Sequence, residues 1–336
     1  MLRHSTDSKP GITRERKGTG WAYFDADGKR ITDRDEIDRL NAIALPPAYT
    51  DAWFCPDPEG HLQATGRDAR GRKQYRYHED FRARRDKSKY GNTLDFGAAL
   101  PKIRRRVEAD LKRRKLDRDT VLAAVVRLLD TQHIRIGNEQ YARSNKSFGA
   151  TTLRNKHLLR RGNQLRMKFT GKHGIVHEVP ISDSNLKRIV SRCQELPGQN
   201  LFQYVGVDGE PHAITSADVN AYIREASGGD FTAKSFRTWG ASVIAFEQML
   251  SKEEGERLTV KTMVEPVAEA LGNTVAMSRK AYIHPRLIEA VQAAPRDALD
   301  GLKPPRRRKY LSSAEVGLIG FLKKKPRRKA ATKAAA

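Results

Sequence analysis

The chain has 336 residues and contains 64 lysines and arginines against 40 acidic residues, which gives a net charge of +24 at neutral pH. This length is enough for two domains with a sizeable core, and the charge favours a polyanionic partner. Two cysteines are too few for a disulfide framework or a zinc site. No secretory segment and no apolar run of membrane-spanning length is visible, so we expect a cytoplasmic protein.

The amino-terminal part of the chain divides into a polar start and a β-rich domain. Residues 1–19 are polar and basic, and we expect them to be disordered. Residues 20–81 are typical of short strands and turns, with a hairpin at Trp21–Gly28, a short helix over Asp33–Leu40 and a strand on each side of Pro56–Gly60. The sequence therefore predicts a small β-rich domain over residues 20–81.

The segment Gly66–His78 combines five lysines and arginines with two tyrosines. On a strand, Tyr75 and Tyr77 share one face while Gln74 and Arg76 share the other. Cations of this kind contact phosphates, whereas amide and aromatic side chains reach base edges; the alternative is a solvated basic loop. The candidate DNA-binding residues are Arg67, Arg70, Arg72, Lys73, Gln74, Tyr75, Arg76 and Tyr77.

Beyond this domain the sequence becomes mainly helical. Residues 82–94 are charged and lack periodicity, which indicates a hinge or linker, and residues 95–322 form a larger helical domain. Predicted helices begin near Phe236 and Leu258 and at the candidate caps Thr120, Thr215 and Ser312, the last ending at Leu322. The helix after Thr120 has an apolar stripe at Leu122, Val125, Val126 and Leu129, and Lys234 and Arg237 share one helix face at i and i+3. One β-hairpin over residues 165–179 interrupts them and places Lys172 at its tip. Residues 323–336 read as a basic, disordered tail.

Five basic or amide side chains precede one tyrosine near the end of the chain. In order they are Arg135, Lys172, Lys234, Arg237 and Asn273, followed by Tyr282. A phenol is a poor nucleophile at neutral pH, because its ordinary pKa is about 10. Cations around it favour the phenolate and hold a phosphodiester against it. Arg135 or Lys172 alone would by default be a solvated surface charge, but together these residues suit strand cleavage through a covalent phosphotyrosine.

Nucleotide and metal sites are poorly supported. Gly228–Ser235 resembles a phosphate-binding loop, but Ala233 replaces its second glycine and a helix end precedes it. The nine histidines form no ligand pair with carboxylate support, and no acidic cluster resembles a two-metal site. We therefore expect no nucleotide, no metal and no other cofactor.

Six motifs occur in order along the chain: Leu45–Tyr49, Gln63–Tyr77, Ile134–Gly137, Phe169–Lys172, Phe236–Gly240 and Leu271–Tyr282. Taken together, they resemble the type IB DNA topoisomerases of the short bacterial and poxvirus kind. The resemblance runs from about Gly20 to about Leu322. It implies an α+β protein with a small β-rich amino-terminal domain and a larger, mainly α-helical catalytic domain of the topoisomerase IB and tyrosine recombinase type.

The resemblance also implies a reaction and a role for each candidate residue. Tyr282 attacks a phosphodiester and leaves a 3′-phosphotyrosyl bond, Arg135 and Arg237 bind the non-bridging oxygens, Lys172 protonates the 5′-oxygen, and Lys234 assists. Asn273 stands where poxvirus and eukaryotic relatives have histidine, and its amide also donates a hydrogen bond. Strand rotation and resealing then relax supercoils of either sign in double-stranded DNA without ATP or metal. We expect a monomer that acts on the nucleoid.

Two other functions stay open at this point. A tyrosine recombinase or integrase shares the nucleophile and the arginine pair, but it usually carries His-x-x-Arg where this chain has Lys234–Arg237, and its amino-terminal domain is typically helical. The hypothesis of a non-catalytic, basic DNA-packaging protein accounts for the positive charge, but it treats the ordered set of residues as a coincidence.

Overall fold

The computed structural model describes residues 1–252, 257–293 and 305–324, and the backbone alone over residues 85–89. The chain divides into two compact units, Met1–Lys89 and Tyr90–Ala336. The expected tail at residues 323–336 lies outside the described residues from residue 325 onward. Among the described helices, none is both long and apolar enough to cross a membrane.

The first unit contains two small antiparallel sheets and a short helix between them in sequence. Strands β1 (Thr13–Lys17) and β2 (Gly20–Phe24) form a hairpin, helix α1 (Arg34–Ala42) follows, and β3 (Thr50–Phe54), β4 (Leu62–Arg67) and β5 (Lys73–Tyr77) form a sheet in the order β3-β4-β5. Phe54 is fully buried in the core of this unit, where its ring meets Tyr23 edge-on. The β-rich character predicted for residues 20–81 is present in this unit.

The expectation of a disordered start over residues 1–19 does not match the structure. β1 pairs with β2 in register, and Ile12 is buried and exchanges backbone hydrogen bonds with Phe54 at 2.9 and 2.7 Å. Further upstream, Asp7 accepts a hydrogen bond from the Thr65 hydroxyl and pairs with Lys73. The short polar side chains that made this segment look disordered are therefore used as partners for the sheet.

The expected linker at residues 82–94 is helical. Helix α2 (Glu79–Leu111) continues without a break through these residues. Arginine, lysine and alanine have high helix propensity, so a stretch rich in them is compatible with a helix even without hydrophobic periodicity and with Gly91 inside it. The missing period had indicated a hinge, but it is no evidence against a helix.

The second unit is mainly helical. Its elements, in order, are α3 (Arg118–Gln132), α4 (Glu139–Asn145), β6 (Leu158–Arg161), β7 (Gln164–Thr170), β8 (Val176–Ile181), α5 (Ser184–Glu195), β9 (Gln203–Val205), β10 (Pro211–Ala213), α6 (Ser216–Ser227), α7 (Ala233–Leu250), α8 (Val260–Leu271), α9 (Val275–Ala281), α10 (Pro285–Ala293) and α11 (Ser313–Lys323). The predicted caps at Thr215 and Ser312 are confirmed. Thr120, predicted as a cap, instead donates its backbone N–H to the true cap, Asp117.

Helices α3 and α7 lie at the centre of this unit. The predicted apolar stripe of α3 is fully buried, as are most residues of α7. A buried polar network joins α7 to the last helix: Arg104 pairs with Asp130 and Glu315 at 2.8 Å each, and the Trp239 indole donates to Glu315 at 3.0 Å. Because every buried charge in this network has a partner, α7 is held rigidly, and α7 carries two of the candidate site residues.

Candidate active site

Arg237 lies at the centre of the candidate site, on the buried side of α7, with 4% of its surface exposed. Its guanidinium donates to the backbone carbonyl of His133 and, at 3.1 Å, to that of Leu271. These carbonyls follow α3 and end α8, so one side chain joins three helices. Burial lowers the pKa of Arg237, and Arg135 adds to that effect; the guanidinium nevertheless stays charged, because its ordinary pKa is above 12.

Tyr282 packs under this guanidinium. The carbon at the centre of the Arg237 guanidinium lies 4.9 Å from the centre of the Tyr282 ring. Burial of the phenol raises its pKa, but Arg237 acts against this through its charge and a hydrogen bond, and Arg135 and Lys234 act in the same direction. The net effect is a Tyr282 pKa below its ordinary value. The surroundings therefore favour the phenolate, the form that attacks phosphorus.

The backbone holds Tyr282 at a helix end. Tyr282 ends α9, and its N–H donates to the Ser278 carbonyl at 3.1 Å. Tyr90 supports the same segment, since its hydroxyl donates to the Lys280 carbonyl at 3.1 Å and its ring meets His284 edge-on at 5.6 Å. The nucleophile is thus braced on both sides. Tyr90 lies within the expected linker, and no sequence signal pointed to it.

Arg135 and Asn273, which are 138 residues apart in sequence, are hydrogen-bonded in the structure. The Arg135 guanidinium donates to the Asn273 side-chain oxygen at 2.6 Å. Arg135 is held by its backbone, whose carbonyl accepts from Ala150 at 2.8 Å. The loop then turns at Gly137, whose φ is 98° and where a Cβ would lie 2.8 Å from the Thr152 hydroxyl. A glycine is therefore required two residues after Arg135.

Two buried donors at this site have no hydrogen-bond partner within the described part of the chain. They are the Nδ2 of Asn273 and the Nε of Arg237. An unpaired buried donor costs about 1–3 kcal/mol, and an anion that accepts a hydrogen bond from such a donor removes that cost. These two donors are therefore suited to binding the non-bridging oxygens of a phosphate.

The two lysines are placed differently from the arginines. Lys234 is exposed on the first turn of α7, one turn before Arg237, and its charge lowers the pKa of Tyr282. Lys172 is exposed in the turn Lys172–Gly174 that joins β7 to β8, as the hairpin prediction required. The structure therefore brings Arg135, Arg237, Asn273 and Tyr282 together, with Lys234 at the edge and Lys172 on an adjacent turn.

The predicted DNA-binding residues lie on β4, β5 and the turn between them, within the first unit. Tyr75 and Tyr77 do share one face, with their ring centres 6.2 Å apart and nearly parallel. Several cations there are paired: Arg72 with Asp68 at 2.7 Å, Lys73 with Asp7, and Arg67 with Asp51 at 3.2 Å. Gln74 also donates to Asp68, and Arg76 donates to the Ala44 carbonyl at 3.1 Å. Arg70 is exposed at the tip of the turn.

No group of three or more histidine, cysteine, aspartate or glutamate side chains converges as a metal site within residues 1–252, 257–293 and 305–324. The two cysteines, Cys55 and Cys193, are buried and free, and burial raises the pKa of the Cys193 thiol to about 12. Neither thiol is therefore a reactive group.

Comparison with known proteins identifies the family. Residues 78–297 match the family model described as "Eukaryotic DNA topoisomerase I, catalytic core", and residues 20–68 match "Bacterial DNA topoisomerase IB, N-terminal domain". The chain belongs to the type IB DNA topoisomerase family. The resemblance drawn from the six motifs and the fold class that it implied are thereby confirmed.

Relatives from viruses and a fungus support the family assignment. DNA topoisomerase 1B of Acanthamoeba polyphaga mimivirus is 31% identical over 297 residues, which cover 85% of this chain and 88% of the relative. DNA topoisomerase 1B of vaccinia virus (strain Copenhagen) is 23% identical over 290 residues, 81% of this chain and 90% of the relative. DNA topoisomerase 1 of Mycosarcoma maydis is 24% identical over 204 residues, 54% of this chain and 20% of the relative. Family membership makes this protein a type I DNA topoisomerase that acts on DNA, rather than a recombinase or a packaging protein.

Proposed function

We propose that the protein relaxes positive and negative supercoils in double-stranded DNA by cutting and resealing one strand. The observation that carries this proposal is the placement of Tyr282 beneath a buried arginine that lowers the pKa of its phenol. A lowered pKa at the one candidate nucleophile is what phosphoryl transfer to a tyrosine requires at neutral pH.

In the proposed reaction, Tyr282 loses its phenolic proton to solvent, and the phenolate oxygen attacks the phosphorus of a phosphodiester and forms an oxygen–phosphorus bond. The bond from phosphorus to the 5′-oxygen breaks, and Lys172 gives that oxygen a proton. The products are a 3′-phosphotyrosyl bond and a free 5′-hydroxyl end. Resealing is the reverse reaction, in which the 5′-hydroxyl returns its proton and displaces Tyr282.

Charge on the phosphoryl group rises in the transition state and needs fixed donors. Arg135 and Arg237 supply guanidinium groups that are already positioned by bonds to Asn273 and to two backbone carbonyls. The unpaired Nδ2 of Asn273 adds a third donor to a non-bridging oxygen. Lys234 adds positive charge at the edge of the site, where it supports the phenolate.

The energy of the broken phosphodiester is kept in the phosphotyrosyl bond, so none of these steps consumes ATP or needs a metal ion. We infer that one chain acts as a monomer, because one site cuts one strand while the free 5′ end rotates. The β4–β5 surface, with Arg67, Arg70, Arg72, Lys73, Gln74, Tyr75, Arg76 and Tyr77, is proposed to hold the duplex. The match to a bacterial amino-terminal domain supports action on nucleoid DNA in the cytoplasm.

A relaxation assay tests the proposal, with positively and negatively supercoiled plasmids in a buffer that contains EDTA and no ATP. The wild-type protein is expected to relax both plasmids, and Tyr282→Phe is expected to bind DNA and relax neither. Binding without relaxation by the wild type rejects the proposed reaction.

A further inference from the structure

The imidazole of His177, on β8, fills the space between two turns that carry candidate catalytic residues. A Cβ on Gly171 would lie 2.7 Å from the His177 ring, and a Cβ on Gly272 would lie 2.8 Å from it. Gly171 precedes Lys172, and Gly272 precedes Asn273. Glycine at both positions leaves room for the ring, whose Cδ2 faces Gly171 and whose Cε1 faces Gly272, so the ring contributes to the separation of the two turns.

The ring is fixed on its own strand as well. His177 pairs with Phe169 across β7 and β8, and the two rings stack at 5.2 Å with an angle of 21°. Burial lowers the pKa of His177, and Arg135 and Arg237 lower it further. The imidazole is therefore neutral at neutral pH, and it lies close enough to both arginines for their charges to act on it.

Lys172 depends on this packing for its position. It is exposed, and the turn that carries it includes two residues with positive φ, His173 at 67° and Gly174 at 78°. The charges that lower the Tyr282 pKa belong to Arg237, Arg135 and Lys234. The His177 ring contacts Gly171 and Gly272 more closely than any other described side chain does, and the Ile175 side chain lies 3.4 Å from where a Cβ on Gly272 would be. The ring therefore provides the main contact between the Lys172 turn and the segment that leads to Tyr282.

We propose that His177 is a positioning residue, which acts as a spacer that holds the Lys172 turn at a fixed distance from Asn273 and thereby places the Lys172 ammonium at the departing 5′-oxygen. This inference rests on the proposed role of Lys172 as the proton donor. A displacement of about 1 Å of a catalytic group can slow a reaction by about a hundredfold. Loss of the spacer therefore slows strand cleavage without touching Arg237 or Tyr282.

The test compares two leaving groups in single-turnover cleavage of a short duplex. One duplex has the ordinary 5′-oxygen at the cut, and the other has sulfur in its place. A thiol has an ordinary pKa of about 8.5 and leaves as the thiolate without a proton donor, whereas an alkoxide needs one. His177→Ala is expected to slow the oxygen substrate by about 10- to 100-fold, and to change the sulfur substrate by less than about threefold. Lys172→Ala is expected to show the same contrast.

Three further variants make the result specific. In a Lys172→Ala background, His177→Ala is expected to add little, because both changes remove the same step. His177→Phe keeps a flat ring in the gap and is expected to retain most of the wild-type rate. Val176→Ala, at a neighbouring residue that is 58% exposed, is the control and is expected to behave as the wild type.

Equal slowing of both substrates by His177→Ala overturns the inference, because it indicates general damage to the fold. A His177→Phe protein that melts as the wild type but cleaves as slowly as His177→Ala also overturns it, since the ring then acts through its nitrogens. If Lys172→Ala itself shows no contrast between the two substrates, the proposed role of Lys172 fails instead.

Discussion

The Arg237 guanidinium donates hydrogen bonds to two backbone carbonyls. The substitution Arg237→Lys therefore keeps the positive charge but removes the forked arrangement of donors. A lysine ammonium lacks the rigid fork of donors that holds the carbonyls of His133 and Leu271 at once, so we expect one of them to lose its hydrogen bond in the interior. An unpaired buried carbonyl costs about 1–3 kcal/mol, so we expect the free energy of unfolding to fall by about 2 kcal/mol. Loss of one fixed donor to the transition state is expected to slow strand cleavage by about 100- to 1000-fold.

Two assays separate these effects. Urea unfolding gives the free energy of unfolding, and single-turnover cleavage of a short duplex gives the rate of strand cutting. Arg224→Lys, at an exposed position on α6, is the matched control and is expected to leave both unchanged. An Arg237→Lys protein that cleaves within about threefold of the wild type refutes the argument that the guanidinium fork positions the phosphate.

Three other changes have defined outcomes. Asn273→Ala removes the 2.6 Å acceptor that orients Arg135, and we expect cleavage to slow by about tenfold, the equivalent of about 1–2 kcal/mol; an unchanged cleavage rate contradicts this. Arg70→Ala removes one exposed cation and is expected to weaken DNA binding and to reduce the slope of log affinity against log salt by about 1; an unchanged slope shows that Arg70 contacts no phosphate. Burial lowers the pKa of His284 to about 4 from about 6.5. As the pH falls, the unfolded chain binds a proton at this histidine before the folded chain does. The contribution of neutral His284 to the free energy of unfolding is therefore complete above about pH 6.5 and is lost towards pH 4, by about 2 kcal/mol after solvent screening. Urea unfolding at pH 7 and at pH 4.5 measures this effect. The free energy of unfolding is expected to fall less between the two pH values for His284→Gln than for the wild type, and an equal fall in both proteins contradicts the prediction.

Local patterns predicted the elements that carry the site. Alternation over residues 165–179 identified the hairpin, and the glycines in its turn placed Lys172 at the tip. The i, i+3 spacing put Lys234 and Arg237 on one helix, although it did not show that Arg237 is buried while Lys234 is exposed. Burial depends on which face of α7 packs on α3, and no spacing within α7 reveals that.

Contacts between segments that are distant in the chain could not be predicted from the sequence. The bond from Arg135 to Asn273 joins a loop after α3 to the loop after α8, and the packing of both helices on α7 brings these loops together. Partners that belong to the backbone, such as the Leu271 carbonyl, carry no residue signature at all. A lone histidine in a strand, as His177 is, reads as an ordinary half-buried residue until the two glycines that face it are located.

The covalent intermediate gives the most direct test of the account. A duplex whose cut end is too short to stay paired traps the enzyme on the DNA, and proteolysis followed by mass spectrometry then locates the modified residue. The account predicts one adduct, on Tyr282, with a 3′-phosphate link and a free 5′-hydroxyl, and none with Tyr282→Phe. An adduct on another tyrosine, a link to the 5′ end, or no adduct while DNA binding is intact contradicts it.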